Sequence, residues 1–334
     1  MQEVKRINVI SEINPEIWVR QIGSKNFSKF GNIVFTREPI FADVYVFYGT
    51  NKKYLLLNQK ATCIYFIAEP RNLKSNSVLF LKQFDAIFGS IPLKLQTKPG
   101  YFTIQPGLPW HIGIDFNDVA GKVNLNFQDL NHPKMPTIES VSVITSNKII
   151  SKEHYRRVKF VQELSKIMGS KLKVYGRGSK PVSDKNEVLS NYRYHLALEN
   201  NSQNDYWSEK LADPIIALNK VFYFGAPNID KYFPEQAVKL IDINNPLETA
   251  KMLISAIENS TWENDLEAIQ QAKLKILGKY NFVNFISDLN IDTTVKKRRR
   301  IHGDFRIKPT RLIKKLRWKI TSYFYFSYLK NKRK

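Results

Sequence analysis

Short, β-rich apolar runs recur through the first part of the chain at 7–10, 32–35, 42–47, 63–67 and 86–89, separated by polar or helical stretches. Runs that stay apolar rather than alternating suit strands buried on both faces, the condition of a parallel sheet with crossovers. They predict an α/β domain over residues 1–135, closed by the linker-like Asn131-His132-Pro133-Lys134-Met135-Pro136. The pattern then restarts. Strands are expected at 141–144, 172–176, 194–198 and 220–224, and helices at 154–167, 208–218, 250–258 and 266–277. These make a second α/β domain over 136–290, and periodicity alone allows any pair of doubly wound domains.

Composition supports two cores and an appendage. The chain has 334 residues, 43% hydrophobic and 13% aromatic, enough apolar surface to exclude a disordered chain. A single cysteine, Cys63, excludes an internal disulfide framework and fits a reducing compartment. Residues 1–6 lack the apolar core of a secretory signal, and no run approaches the ~18 apolar residues of a spanning helix. The expectation is a protein kept inside the cell.

The net charge of +22 changes the picture only after it is located. From Lys296 onward there are sixteen Lys/Arg and one acid, Asp304, which leaves 36 basic and 29 acidic residues for the body. Residues 291–334 therefore read as a basic tail. From Thr310 a helix is expected with Leu312, Ile313, Leu316, Ile320, Tyr323 and Phe324 on one side and Arg311, Lys314, Lys315 and Lys319 around the rest. A basic amphipathic helix with aromatics at 323–328 suits an anionic membrane surface, contacted through residues 296–334. No nucleic-acid partner is expected, and the location that follows is cytoplasmic, peripheral on the inner face of the cell membrane.

The chemistry concentrates in one stretch. An apolar strand delivers Glu199 and Asn200 at its carboxyl end, a polar loop follows, and a helix opens with Glu209 and Lys210 in its first turn. Strand ends of open α/β sheets bind ligands, and helix N-termini attract phosphate. A lysine there opposes the helix dipole, so Lys210 points to a nearby anion. Asp205 reads equally as a helix cap. Trp110-His111, after Pro109, reads either as a structural pair in an interdomain loop or as a contact to a second substrate. Gly176-Arg177-Gly178 lacks the third glycine of a dinucleotide fingerprint, and the five histidines show no metal-ligand spacing.

The segment 192–234, centred on Asp205-Tyr206-Trp207-Ser208-Glu209-Lys210, resembles the alpha-1,3/4-fucosyltransferase family (glycosyltransferase family ten), in a bacterial-type member. The resemblance extends over about 140–245 and covers the first domain only in outline. It implies the GT-B architecture, two Rossmann-like domains facing a cleft. It implies donor-binding roles for Lys210 at the diphosphate, Glu209 at ribose or sugar hydroxyls, Tyr206 beside them, and Glu199 and Asn200 at the strand end. Ser146-Asn147 followed by Arg157, Phe160 and Leu164 resembles the element whose arginine grips the pyrophosphate, with Arg156 the alternative to Arg157. Ala68-Glu69-Pro70, after an apolar strand, resembles the segment whose glutamate is the base, so Glu69 is the implied catalytic residue.

A guanidinium and an ammonium at one diphosphate neutralise a leaving group without a metal, and no Asp-X-Asp occurs in the chain. The function that the resemblance implies is an inverting, metal-independent glycosyltransferase carrying fucose from GDP-fucose to a glycan hydroxyl of the alpha-1,3/4 type. No cofactor is expected beyond the nucleotide-sugar donor, and the glycan acceptor is a surface-glycan precursor, such as that of lipopolysaccharide. The alternatives are the same fold with another nucleotide sugar, and a non-catalytic membrane- or nucleic-acid-binding protein.

Overall fold

The computed structural model describes residues 5–23, 31–69, 76–89, 99–105, 107–147, 149, 152–289 and 297–304. The helix expected from Thr310 lies outside them.

Strands β1 (Ile7–Ile10), β2 (Ile33–Thr36), β3 (Val44–Tyr48), β4 (Tyr54–Leu55), β5 (Thr62–Phe66), β6 (Ala86–Phe88) and β7 (Tyr101–Phe102) succeed one another in the first half. All but β4 form one parallel sheet in the order β2-β1-β3-β5-β6-β7. Alternate side chains leave opposite faces of a strand, and both faces here are covered. Val9, Val46, Ile64 and Phe66 pack with Trp18, Phe282 and Ile286. Ile10, Tyr45, Phe47, Cys63 and Tyr65 pack with Tyr54, Phe80, Phe84 and Ile301. Continuous apolar runs are what such strands require.

The antiparallel pair β8 (Ile114–Asp115) and β9 (Lys122–Val123) leads into the second half. There β10 (Ile138–Ile144), β11 (Leu172–Tyr175), β12 (Tyr192–Leu198), β13 (Lys220–Phe224) and β14 (Val238–Leu240) form a parallel sheet in the order β11-β10-β12-β13-β14. Helices Lys152–Met168, Glu209–Ile216, Pro246–Glu258 and Thr261–Leu277 pack around it. The two α/β units anticipated from the apolar pattern are present. The helix expected over 208–218 ends at Ile216, with Leu218 left-handed at φ 64°.

Two segments cross back. Helix Phe282–Ser287, grouped by sequence with the second unit, buries Phe282, Val283 and Ile286 against the first sheet. Strand β15 (Arg300–Ile301) pairs antiparallel with β4, Arg300 opposite Leu55 and Ile301 opposite Tyr54. Of the basic tail, expected from Lys296 onward to contact a membrane surface, Arg298 and Arg300 are therefore built into the first unit. Arg298 grips Asp85 in a two-pronged ion pair, Nη1 to Oδ2 at 2.8 Å and Nη2 to Oδ1 at 2.5 Å. The same carboxylate accepts the Cys63 N–H at 2.8 Å.

Asp85 has a fully buried side chain and Arg298 is 10% exposed, so removing one partner strands a buried charge, at about 3–5 kcal/mol. Arg298→Met should lower the unfolding free energy, read by urea titration, by an amount in that range. Arg298→Met with Asp85→Asn should recover most of it.

Candidate functional site

In the first sheet the strand order reverses between β1 and β3, and in the second between β10 and β12. Such switch points leave a crevice beyond the carboxyl ends of the strands. Both crevices open on one cavity of about 350 Å³ between the units, lined from the first by Ile13, Tyr48 and Phe66 to Glu69, and from the second by Asn200 and Asp205 to Lys210.

The second unit's wall is built outward from β12. The ladder continues one residue past the strand, Glu199 N–H to Phe224 O at 2.8 Å, which sinks the Glu199 side chain to 1% exposure. Its Oε1 accepts both the Ser208 N–H at 2.8 Å and the Ser208 O–H at 2.6 Å. Ser208 in turn caps helix Glu209–Ile216 through its side chain. Gly225 has to be glycine here, because a Cβ would meet the Tyr223 hydroxyl at 1.9 Å and Glu199 Cγ at 2.7 Å. The loop before the helix is held by Asp205, left-handed at φ 58°, whose Oδ1 accepts from Asn228 and Tyr232, each at 2.9 Å. Asp205 is thus a loop anchor, and Ser208 is the cap.

Lys210 folds back over the helix start. Its Nζ lies 3.0 Å from Glu209 Oε1, 3.3 Å from Ser208 Oγ and 3.8 Å from Glu199 Oε2. Burial works against its charge, but Glu209 and Glu199 hold its pKa above the ordinary value. These carboxylates offset the unfavourable dipole that suggested an anion, so the lysine is stabilised by the protein itself. The two glutamates are driven apart. Burial raises the Glu199 pKa despite Lys210. Burial would also raise that of Glu209, but Lys210, Lys185 and His111 together hold it well below 4.5. Tyr206 is 9% exposed and lines the cavity, its hydroxyl pKa pushed far up by burial and by Glu199, Glu69 and Glu209.

The two arginines separate. Arg157 is buried and donates from Nη1 to Asn200 Oδ1 across the β10/β12 switch point, whereas Arg156 donates to Asn244 Oδ1 at 2.6 Å at the surface. Arg157 and Glu199 stand one layer behind the cavity wall, and Asn200, Tyr206, Glu209 and Lys210 form it. On the opposite wall Glu69 follows β5, exposed into the cavity. Gly89, at φ 120°, lies so close behind that a Cβ would meet Ile67 O at 2.8 Å.

Trp110 and His111 part company as well. The segment from Leu108 to Gly113 runs between the units as a strap. From the first unit, Gln21 Nε2 donates to Leu108 O at 2.8 Å, and Arg20 donates to Trp110 O and, at 2.7 Å, to Ile112 O. From the second, Asp213 Oδ1 accepts the His111 N–H at 2.9 Å and Asp184 Oδ1 the Gly113 N–H at 2.8 Å. Leu108, Trp110 and Ile112 are buried in the second unit's core. The expectation that Trp110 contacts an acceptor is therefore corrected: its ring is 0% exposed and packs near Phe127. His111 does line the cavity, with Nδ1 3.9 Å from Glu209 Oε1. Burial lowers its pKa and Glu209 opposes that. Sequence reasoning passed over Tyr48, Gln105, Ser208, Lys185 and Asp213; only Ser208, inside the motif, carried a local signal.

Residues 137–261 match the family model described as glycosyltransferase family 10 (fucosyltransferase) C-term. The chain is 30% identical over 90 residues to GDP-fucose protein O-fucosyltransferase 3 of Danio rerio, covering 26% of this chain and 20% of that one. It is 31% identical over 112 residues to 4-galactosyl-N-acetylglucosaminide 3-alpha-L-fucosyltransferase 9 of Mus musculus, covering 32% and 31%. The chain thus spans under a third of the length of these curated relatives. A crystal structure of an alpha1,3-fucosyltransferase with GDP is similar at 18% identity and a TM-score of 0.47, over 83% of this chain and 92% of that one. An alpha-glucosyltransferase in complex with UDP-glucose and DNA containing an abasic site is similar at 8% identity and a TM-score of 0.48, over 83% and 95%.

The raised Glu199 pKa has a definite sign. The folded state holds that proton more tightly than the unfolded chain, so stability is lost as pH rises from the ordinary carboxylate range through the folded value. Glu199→Gln keeps an acceptor for Ser208 and does not titrate. Its melting temperature relative to wild type should rise as pH is taken from about 4 to about 8, read by thermal denaturation at each pH.

Proposed function

We propose that this chain, whose residues 137–261 belong to the glycosyltransferase family 10 (fucosyltransferase) C-terminal domain, transfers fucose from GDP-fucose to a glycan hydroxyl with inversion at the anomeric carbon. One observation carries the reading: a single cavity joins Glu69 of one unit to the Lys210 helix start of the other. In this reading Lys210 at the cavity wall takes the donor diphosphate, Arg157 adds its charge from one layer behind through Asn200, and Glu209 takes ribose or sugar hydroxyls. Glu69 accepts the proton of the acceptor hydroxyl as its oxygen bonds to the anomeric carbon. The bond from that carbon to the diphosphate oxygen breaks, and GDP leaves with the electron pair against the two cations. Charge placed where the leaving group develops is an effective form of stabilisation in a site shielded from water. The acceptor linkage we assign is of the alpha-1,3/4 type, on a surface-glycan precursor.

The sugar is separated from the nucleotide by a thermal-shift panel, since a ligand bound only by the folded state raises the melting temperature. GDP-fucose should give the largest shift; a larger shift with another nucleotide sugar would reassign the donor. Glu69→Gln should keep that shift while turnover falls by about 10²–10⁴-fold, the usual contribution of a general base.

We further propose that the protein sits peripherally on the inner face of the cell membrane through its basic C-terminal segment. Lys297, Arg299 and Arg300 are exposed at the start of that segment, and anionic lipid attracts such clusters. Because 297–304 is built into the first unit, the informative truncation begins after Asp304. Deleting 305–334, which removes most of the basic residues of the segment, should sharply reduce sedimentation with phosphatidylglycerol vesicles and spare transfer in solution.

A further inference from the structure

Glu209 and Asp213 lie four residues apart on helix Glu209–Ile216, so their carboxylates share one face. Two like charges one turn apart repel, and Asp213 is fully buried, where an unpaired charge is costly. Lys185 enters between them from the turn before helix Asn186–Leu189. Its Nζ is 2.6 Å from Asp213 Oδ2 and 3.8 Å from Glu209 Oε1, with only 17% of its side chain exposed. The other oxygen of Asp213 accepts the His111 N–H at 2.9 Å, and the neighbouring Asp184 accepts the Gly113 N–H. The turn that supplies Lys185 is thereby fastened to the strap that carries His111.

We propose that Lys185, outside the sequence motif, is a positioning residue for the Glu209 carboxylate, and that through Asp213 it fixes that carboxylate relative to the adjoining His111. This rests on the donor reading above. The groups that bear on Glu209 are Lys210 and Glu199 at the helix start, Asp213 one turn on, Lys185 from its turn, His111 from the strap and Glu69 from the facing wall. Lys185 is the cation among them that also pairs with the buried Asp213. Its charge helps keep Glu209 ionised. Losing it raises the pH at which Glu209 takes up a proton, so donor binding fails earlier on acidification.

A purely structural lysine would serve only as counter-ion to Asp213, and the double variant Lys185→Met with Asp213→Asn separates the two roles. It removes the buried ion pair as a whole while retaining an acceptor for the His111 N–H. GDP-fucose and GDP binding to the full chain would be measured by calorimetry from about pH 3 to about 8, a range that reaches below the ordinary carboxylate value, with melting temperatures alongside. Lys185→Met alone should melt lower, and the double variant should recover stability. The double variant should still bind GDP-fucose about tenfold more weakly, with the acid limb of binding moved up by about one pH unit. Lys185→Arg should restore both. A double variant that binds GDP-fucose like wild type, with the same acid limb, overturns the positioning role. A wild-type chain that binds neither GDP nor GDP-fucose overturns the donor reading itself, and the positioning role with it.

Discussion

The strap from Leu108 to Gly113 is the constraint on which the cavity depends. Its carbonyls are taken by Arg20 and Gln21 of the first unit, and its amides by Asp213 and Asp184 of the second. Neither unit alone satisfies this segment, and a buried segment left unsatisfied on one side would lose about 1–3 kcal/mol per group. Gln21 extends the junction, since its backbone carbonyl accepts from Asn281 and its side-chain oxygen from the Phe282 N–H. The return helix and the strap are therefore fixed through the same residue. With the units locked in this way, the two switch points face one another across a defined gap.

Within that gap the electrostatics follow from depth. Glu199 and Glu209 flank one helix start, yet burial dominates the first and cations the second. Carboxyl groups driven apart by their surroundings divide the work. Glu199 becomes scaffold, with its hydrogen bonds directed inward to Ser208. Glu209 stays charged at the cavity wall, and Lys210 is retained between them. His195 illustrates the opposite outcome. Fully enclosed and paired with Ser142 Oγ at 2.8 Å, its pKa is pushed down to about 3, so it remains neutral and serves the core.

What was legible in the sequence is what depends on neighbours in the chain. The Asp205–Lys210 stretch, the Glu199-Asn200 strand end and Glu69 after its strand are local patterns, and the fold brings all three to one cavity. Arg157 was distinguishable from Arg156 only by spacing, and the contact with Asn200 now separates them. Trp110 misled because an aromatic beside a histidine looks the same in sequence whether it faces a ligand or a core. Lys185, Arg20 and Asp213 were invisible because their partners lie far off along the chain. The β4–β15 pairing joins residues more than two hundred positions apart, beyond any periodicity. Short elements such as Val238–Leu240 gave too few residues to establish a pattern.

The central claim is that the diphosphate of a nucleotide sugar lies at the β10/β12 switch point, with its sugar turned toward Glu69. A structure of the full chain bound to GDP-fucose tests this most directly. The expected result is diphosphate oxygens against Lys210 and Asn200, with Arg157 directly behind Asn200, and the anomeric carbon facing the Glu69 carboxylate. Nucleotide bound instead in the other concavity, of about 530 Å³ and lined by Lys220, Lys239 and Lys251, would contradict it.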